Sequence, residues 1–253
     1  MSDALAVSHL RKRYPGVLAV DDVSFDLAVG ETLAIIGPNG AGKTTVFNMI
    51  AGETRSTSGE VFAFGSPVTH WPPSRLARLG IARTFQISRV FLEYTAWENV
   101  AVSVDAASRK TFHGWNRFVR DDIAQRVDKC LDEVGIDPPL RGIPASTLSH
   151  GDKKRLELAM AVVQEPRLLL LDEPTAGMSS RDSAEIIVLL NQIRKTHDQL
   201  SILITAHDMD LVFGVASRVI LMADGQILVA GTPYEVAHDE RTVSVYLGRG
   251  VPS

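Results

Sequence analysis

Apolar and polar positions alternate through LAVSHL and VSFDLAV, with the breaker RYPG between them, which predicts a small antiparallel sheet within the first thirty residues. TLAII (Thr32–Ile36) is a short run, apolar after its first residue, followed by a glycine-rich loop and a helix from about Thr44 to Ile50 that ends near Gly52. Strand, loop and helix in that order open a wound α/β unit. The period then changes: Thr95-x-x-Glu98 is a capping box, SRKTFHGWN reads as a loop, and RFVRDDIAQRVDKCLDEVG has helical spacing up to Gly135. A helical subdomain over about 87–147, inserted into the α/β domain, accounts for this stretch. LSHGDKKRLELAMAV reads as a helix entered through Ser149 and Gly151, and the α/β alternation resumes with the strand in RLLLLDEP. A helix over Ser183–Arg194, the strand LSILIT, a hairpin in RVILMADGQILVAG turning at Asp224-Gly225, and a last helix over about Pro233–Leu247 complete a single domain, 1–253.

Composition narrows the function classes. The 253 residues are 45% hydrophobic, enough for a large buried core, and a net charge of −4 argues against a general nucleic-acid surface. A single cysteine, Cys130, excludes an internal disulfide and fits a reducing compartment. No stretch approaches the ~20 apolar residues that span a bilayer, so the expected location is cytoplasmic.

The chemistry concentrates at three strand ends. GPNGAGKTT, comprising Gly37, Pro38, Asn39, Gly40, Ala41, Gly42, Lys43, Thr44 and Thr45, satisfies the phosphate-loop spacing G-x-x-x-x-G-K-[ST]. Its glycines let successive backbone N–H groups converge on a phosphate chain, Lys43 adds positive charge, and the Thr44 hydroxyl suits Mg²⁺. Leu168 to Leu171 form an apolar run suited to a central parallel strand, ending in Asp172 and Glu173. Ligands of a wound sheet sit beyond the carboxyl ends of its strands. Asp172 therefore fits a Mg²⁺ role, Glu173 a general base for water, and His207, after ILIT, a contact to a terminal phosphate. The helix N-terminus at Ser149 and Gly151 is a second anion site, with Asp152 placing a negative charge in its first turn.

With GPNGAGKTT, RTFQ, LSHGD, LLLLDEP and ITAHD in this order, the chain resembles the ATPase subunits of ABC transporters along nearly its whole length. The resemblance implies a P-loop NTPase core with an N-terminal antiparallel β-subdomain and an inserted helical subdomain, and ATP and Mg²⁺ as ligands. It implies that Tyr14 stacks on adenine, that Gln86 links Mg²⁺ and the attacking water to the membrane partner, that Glu173 is the base and that His207 senses the γ-phosphate. Tyr14 also fits a half-buried strand position. LSHGD corresponds to the signature motif, whose Ser149, Gly151 and Asp152 would contact ATP bound by an opposing subunit of a head-to-tail homo- or heterodimer. The chain departs from the usual pattern at His150, where Gly is usual, at Asp152, where Gln is usual, and at Ser179, where Asp is usual. A carboxylate at Asp152 can still accept from ribose hydroxyls.

Within the family, RTFQ, DEPTAGM and the ending GTPYEV…YLG look most like the ATPases of branched-chain or hydrophobic amino-acid importers, with urea and amide importers similar. The implied partners are membrane permease subunits, a second ATPase subunit and a separate solute-binding protein, with the chain peripheral on the cytoplasmic face of the inner membrane. Residues 87–95, with Phe91, Leu92 and Tyr94, are expected to form a groove for a permease helix, while Trp97 packs the helical lobe; Phe112–Phe118 is a second aromatic patch or a hinge. The other readings are a lipopolysaccharide-export-like ATPase, a non-transport ABC ATPase acting on DNA or the ribosome, and a nucleotide-binding module with little hydrolysis. The interval from Lys43 to Ser149 carries no sustained heptads, against a DNA clamp.

Overall fold

The computed structural model describes residues 3–84, 90–107 and 121–247. Two sheets organise it. β1 (Asp3–Tyr14), β2 (Val17–Ala28), β4 (Ser58–Ala63) and β5 (Ser66–Pro67) form an antiparallel sheet in the order β2-β1-β4-β5. The second has the order β10-β9-β3-β8-β7-β6, built from β3 (Thr32–Ile36), β6 (Ile81–Arg83), β7 (Leu168–Asp172), β8 (Ser201–Thr205), β9 (Arg218–Ala223) and β10 (Gln226–Gly231). All its neighbours run parallel except the β9–β10 hairpin. Asp224 and Gly225, with φ of 49° and 80°, give that hairpin the doubly left-handed turn that its two-residue loop requires.

The apolar runs are strands because each strand feeds two cores. Leu33, Ile35, Leu168, Leu170 and Leu203 pack with α1 (Lys43–Ile50) and the antiparallel sheet. Their neighbours Ala34, Ile36, Leu169, Leu171, Ile202 and Ile204 pack against helices on the opposite face. Those helices include α6 (His150–Val162), α7 (Ser180–Thr196) and α8 (Met209–Val215), and α6 in turn carries α3 (Ala96–Ala107) and α4 (Asp121–Glu133). Thr95 and Glu98 cap α3 reciprocally, as their spacing predicts: the Thr95 N–H donates to Glu98 Oε2 at 2.8 Å and the Glu98 N–H to Thr95 Oγ1 at 3.1 Å. Trp97 packs against the same core.

The sequence pattern passes over three features. β4, with Gly59 inside it, the short strands β5 and β6, α2 (Pro73–Leu79) and the four-residue α5 (Pro138–Arg141) carry too weak a periodic signal. α7 starts at Ser180, three residues before the expected Ser183, because Ser179 caps it by accepting from the Asp182 N–H at 3.2 Å. The expected last helix is two, α9 (Pro233–His238) and α10 (Glu240–Leu247). Asp239 breaks it by adopting extended backbone and accepting from the Arg241 N–H at 2.8 Å, so that it starts a new helix instead of continuing the old one. Among the described residues, no helix is long and apolar enough to cross a membrane.

Candidate functional site

The parallel strands deliver their chemistry to one edge. There a cleft of about 1070 Å³ is lined by the whole phosphate loop from Gly37 to Thr45, by Glu173 and by His207. The loop's path depends on glycine. Gly37 and Gly42 have φ of 145° and 96°, and a Cβ would lie 2.1 Å from the Met222 carbonyl oxygen at the first and 2.5 Å from that of Ala19 at the second. Gly40 faces open space, so its absent side chain leaves the cleft clear.

Lys43 is buried, and its Nζ donates to the carbonyl oxygens of Gly37 at 2.7 Å and Pro38 at 3.1 Å. Burial pushes its pKa down, against the opposing pull of Glu173 and Asp172. The ammonium, both acids and the loop N–H groups therefore share one electrostatic neighbourhood.

Asp172 ends β7 and is 2% exposed, behind the cleft wall and not on its surface. Its Oδ1 accepts the Thr205 hydroxyl at 2.6 Å and its Oδ2 accepts Arg83 Nη2 at 3.2 Å. Glu173 follows with φ of 47°, a left-handed conformation that costs a non-glycine residue about 1 kcal/mol. Its N–H is held by both the carbonyl and the hydroxyl oxygen of Thr205, each at 3.1 Å. That turn swings the carboxylate out of the strand line into the cleft, 3.7 Å from His207 Nδ1. Glu173 and His207 are thus brought together on the cleft, within reach of one water molecule.

For a magnesium ion, the exposed Thr44 hydroxyl and the Asp172 carboxylate are hard oxygen donors, and each Asp172 oxygen keeps lone-pair capacity beyond the single bond it accepts. This donor set fits a cation held mainly by nucleotide phosphates and water. Among the described residues there is no cluster of His, Cys, Asp and Glu that could hold a metal by itself.

The remaining expected residues lie apart from this cleft or outside the described residues. Tyr14 ends β1 at the tight hairpin, half-exposed, with the Lys12 ammonium 4.8 Å over its ring, and it is not among the lining residues. Gln86 lies outside the described residues, as do 87–89 of the expected groove and the patch Phe112–Phe118. Ser149, Gly151 and Asp152 form the N-terminus of α6 on a different surface, beside Asp182 at the start of α7. There the Ser149 hydroxyl accepts the Asp152 N–H at 3.0 Å and donates its own proton to Asp152 Oδ2 at 2.6 Å.

The cleft also has walls that the motifs do not announce: Val17, Leu18 and Ala19 from β2, the Asp224-Gly225 turn, and Val245 with Tyr246 from α10. Burial pushes the Tyr246 phenol pKa up, and the Gly37 N–H facing its oxygen offsets part of that. The expected ending YLG marked this stretch, but only the tertiary fold carries it to the phosphate loop.

Known proteins resemble this chain in sequence and in fold. The pattern of the ABC transporter family matches residues 20–176. The chain is 36% identical over 250 residues to the high-affinity branched-chain amino acid transport ATP-binding protein LivG of Salmonella typhimurium, covering 96% of this chain and 97% of the relative. It is 33% identical over 248 residues to the lipopolysaccharide export system ATP-binding protein LptB of Acidithiobacillus ferridurans, covering 98% of each chain. The crystal structure of the ADP conformation of MJ1267, an ATP-binding cassette of an ABC transporter, superposes with a TM-score of 0.85 at 26% identity, over 98% of this chain and all of that one. A phosphate loop, a strand-end acid pair and a facing histidine, on a chain matched along nearly its full length by such proteins, place it in the ABC transporter family as an ATP-binding cassette.

Proposed function

We propose that this chain is the ATP-binding and ATP-hydrolysing subunit of an importer for branched-chain amino acids or related small solutes, energising separate permease subunits from the cytoplasmic face of the inner membrane. The observation that carries the hydrolytic part is Glu173, turned by its left-handed backbone into the phosphate-loop cleft beside His207. In this reading Glu173 takes the proton of the attacking water and His207 holds the terminal phosphate and the water's orientation. Lys43 exchanges its two loop carbonyls for phosphate oxygens. Thr44, Asp172 and Gln86 would hold Mg²⁺, which would offset the charge of the phosphates, and Tyr14 would stack on adenine.

The helix N-terminus at Ser149 and Gly151 serves the ATP of a second ATPase subunit, with Asp152 beside it, so that ATP closes a head-to-tail dimer. Helices within about 87–147 form the lobe that meets the permease, while a solute-binding protein selects the cargo. Support for that contact comes from the loop before α3, where Phe91 and Leu92 are about half-exposed and Phe91 stacks on Tyr94 with centroids 5.4 Å apart. The buried Asn99 pins this loop by accepting the Phe91 N–H at 2.7 Å and donating to the carbonyls of Phe91, Tyr94 and Thr95. A rigid support presenting apolar side chains suits a partner helix.

Glu173→Gln tests the hydrolytic assignment. It should retain MgATP, accumulate a stable dimer and hydrolyse at least ~100-fold more slowly than wild type. Equal turnover by the two proteins refutes it. The 33% identity to the export protein supports a second cargo reading, a lipopolysaccharide-export-like system. Co-purification with the native membrane partners, followed by stimulation of ATPase activity by leucine or by lipopolysaccharide, separates the two.

A further inference from the structure

Arg83 belongs to the RTFQ motif, yet the expected roles leave it without one. It ends β6, paired with Leu170 of β7, and its side chain is only 12% exposed. The guanidinium joins three elements. Nη1 meets Glu53 Oε2 at 2.7 Å in the turn after α1, and Nη2 donates to Asn48 Oδ1 of α1 at 2.8 Å and to Asp172 Oδ2 at 3.2 Å. Its Cζ also lies 4.9 Å from the centroid of the Phe47 ring. α1 is the helix that the phosphate loop opens, so one buried cation ties the end of that helix to the acid at the end of β7.

Thr205 supplies a neutral donor to one Asp172 oxygen and Arg83 a charged donor to the other, so the carboxylate plane is gripped from β8 on one side and β6 on the other. Each oxygen then has one side free. We propose that Arg83 is the positioning residue of the magnesium-binding acid: it holds the plane of the Asp172 carboxylate and so fixes the direction of its free lone pairs, without touching nucleotide itself. Glu53 and Asn48 are part of the device. They hold the guanidinium from behind, so that a divalent cation arriving near Asp172 does not expel it.

This rests on the phosphate-loop cleft being the nucleotide site and on Asp172 facing the metal, and the test separates the two layers. Mn²⁺, whose free form is counted by electron paramagnetic resonance, replaces Mg²⁺, and ADP is the nucleotide, so no turnover is needed. Arg83→Gln should bind metal-free ADP with wild-type affinity while its ADP complex holds Mn²⁺ about tenfold more weakly. Arg83→Lys, which keeps the charge but loses the fork, should lie between. An unchanged Mn²⁺ affinity in both variants overturns the proposal. So does an equal loss of metal-free ADP affinity and Mn²⁺ affinity, which marks a merely structural role. Lys43→Ala is the control for the underlying reading: if it retains metal-free ADP, the assignment of the cleft fails, whatever Arg83 does.

Discussion

Replacing Asp152 by Gln isolates one hydrogen bond at the second anion site. In the free chain the Ser149 hydroxyl has a single proton, and Asp152 Oδ2 holds it at 2.6 Å. A phosphate oxygen approaching this helix N-terminus therefore meets a serine lone pair and a carboxylate where the proposed dimer needs a donor. Freeing the proton breaks a bond to a charged acceptor, ~1.5–3 kcal/mol when sheltered from water. Ser149 is exposed and Asp152 partly exposed, so solvent screening reduces this to about 1 kcal/mol per site, or roughly fivefold in an equilibrium constant. Gln at the third helical position can still complete a capping box with Ser149, so the variant loses only the charge–dipole attraction, ~0.3–1 kcal/mol of monomer stability. The assay is sedimentation of the Glu173→Gln protein with MgATP, with and without Asp152→Gln. The homodimer has two such sites, so the expected result is a dimer tighter by ~2 kcal/mol, about 25-fold, in the double variant, with ATP affinity of the monomer unchanged. If Asp152 instead accepts from a ribose hydroxyl across the interface, the double variant dimerises more weakly, and the argument from the serine proton is refuted.

Two further outcomes follow from the packing. Tyr246→Ala removes a ring that lines the cleft beside the phosphate loop; ADP affinity, read with a fluorescent analogue, should fall about fivefold, as for the loss of ~1 kcal/mol of contact, and an unchanged affinity would show that α10 is only a neighbour of the site. Cys130, on α4, donates its thiol to the Ala159 carbonyl of α6 at 3.4 Å, and burial pushes its pKa from 9.0 up to about 12. The folded value lies above the unfolded one, so its contribution to stability is complete below pH 9 and is lost as pH rises from there toward 12. Relative to Cys130→Ala, wild type should lose roughly 2 kcal/mol of urea-unfolding stability between pH ~9 and ~10.5, and parallel curves would contradict the assignment.

Much of the site was legible because its parts are local. The apolar runs at Thr32–Ile36 and Leu168–Leu171 are strands for the reason their composition suggests, burial on both faces, and strand ends in a parallel sheet share an edge. What escaped is what only the third dimension supplies. Nothing in DEP announces that Glu173 is left-handed, since the two Thr205 oxygens that hold its N–H come from a strand 32 residues away. Nothing in YLG announces that Tyr246 reaches Gly37. Tyr14 sits at the hairpin end, close in sequence to Val17 and Leu18, which line the cleft, and with the Lys12 ammonium over its ring.

The arrangement at β7 explains why two adjacent acids can have opposite surroundings. Along a strand, successive side chains point to opposite faces, so Asp172 and Glu173 in regular backbone would share no cleft. The chain ends the strand at Asp172, keeps that carboxylate buried between Thr205 and Arg83, and reverses Glu173 through positive φ. One acid is thereby clamped and the other set free to face His207, which is the division of labour that metal positioning and proton abstraction require. Thr205 serves both, donating its hydroxyl proton to Asp172 while its carbonyl and hydroxyl oxygens accept the Glu173 N–H. A change at Thr205 should therefore disturb the two acids together, whereas a change at Arg83 should reach Asp172 alone.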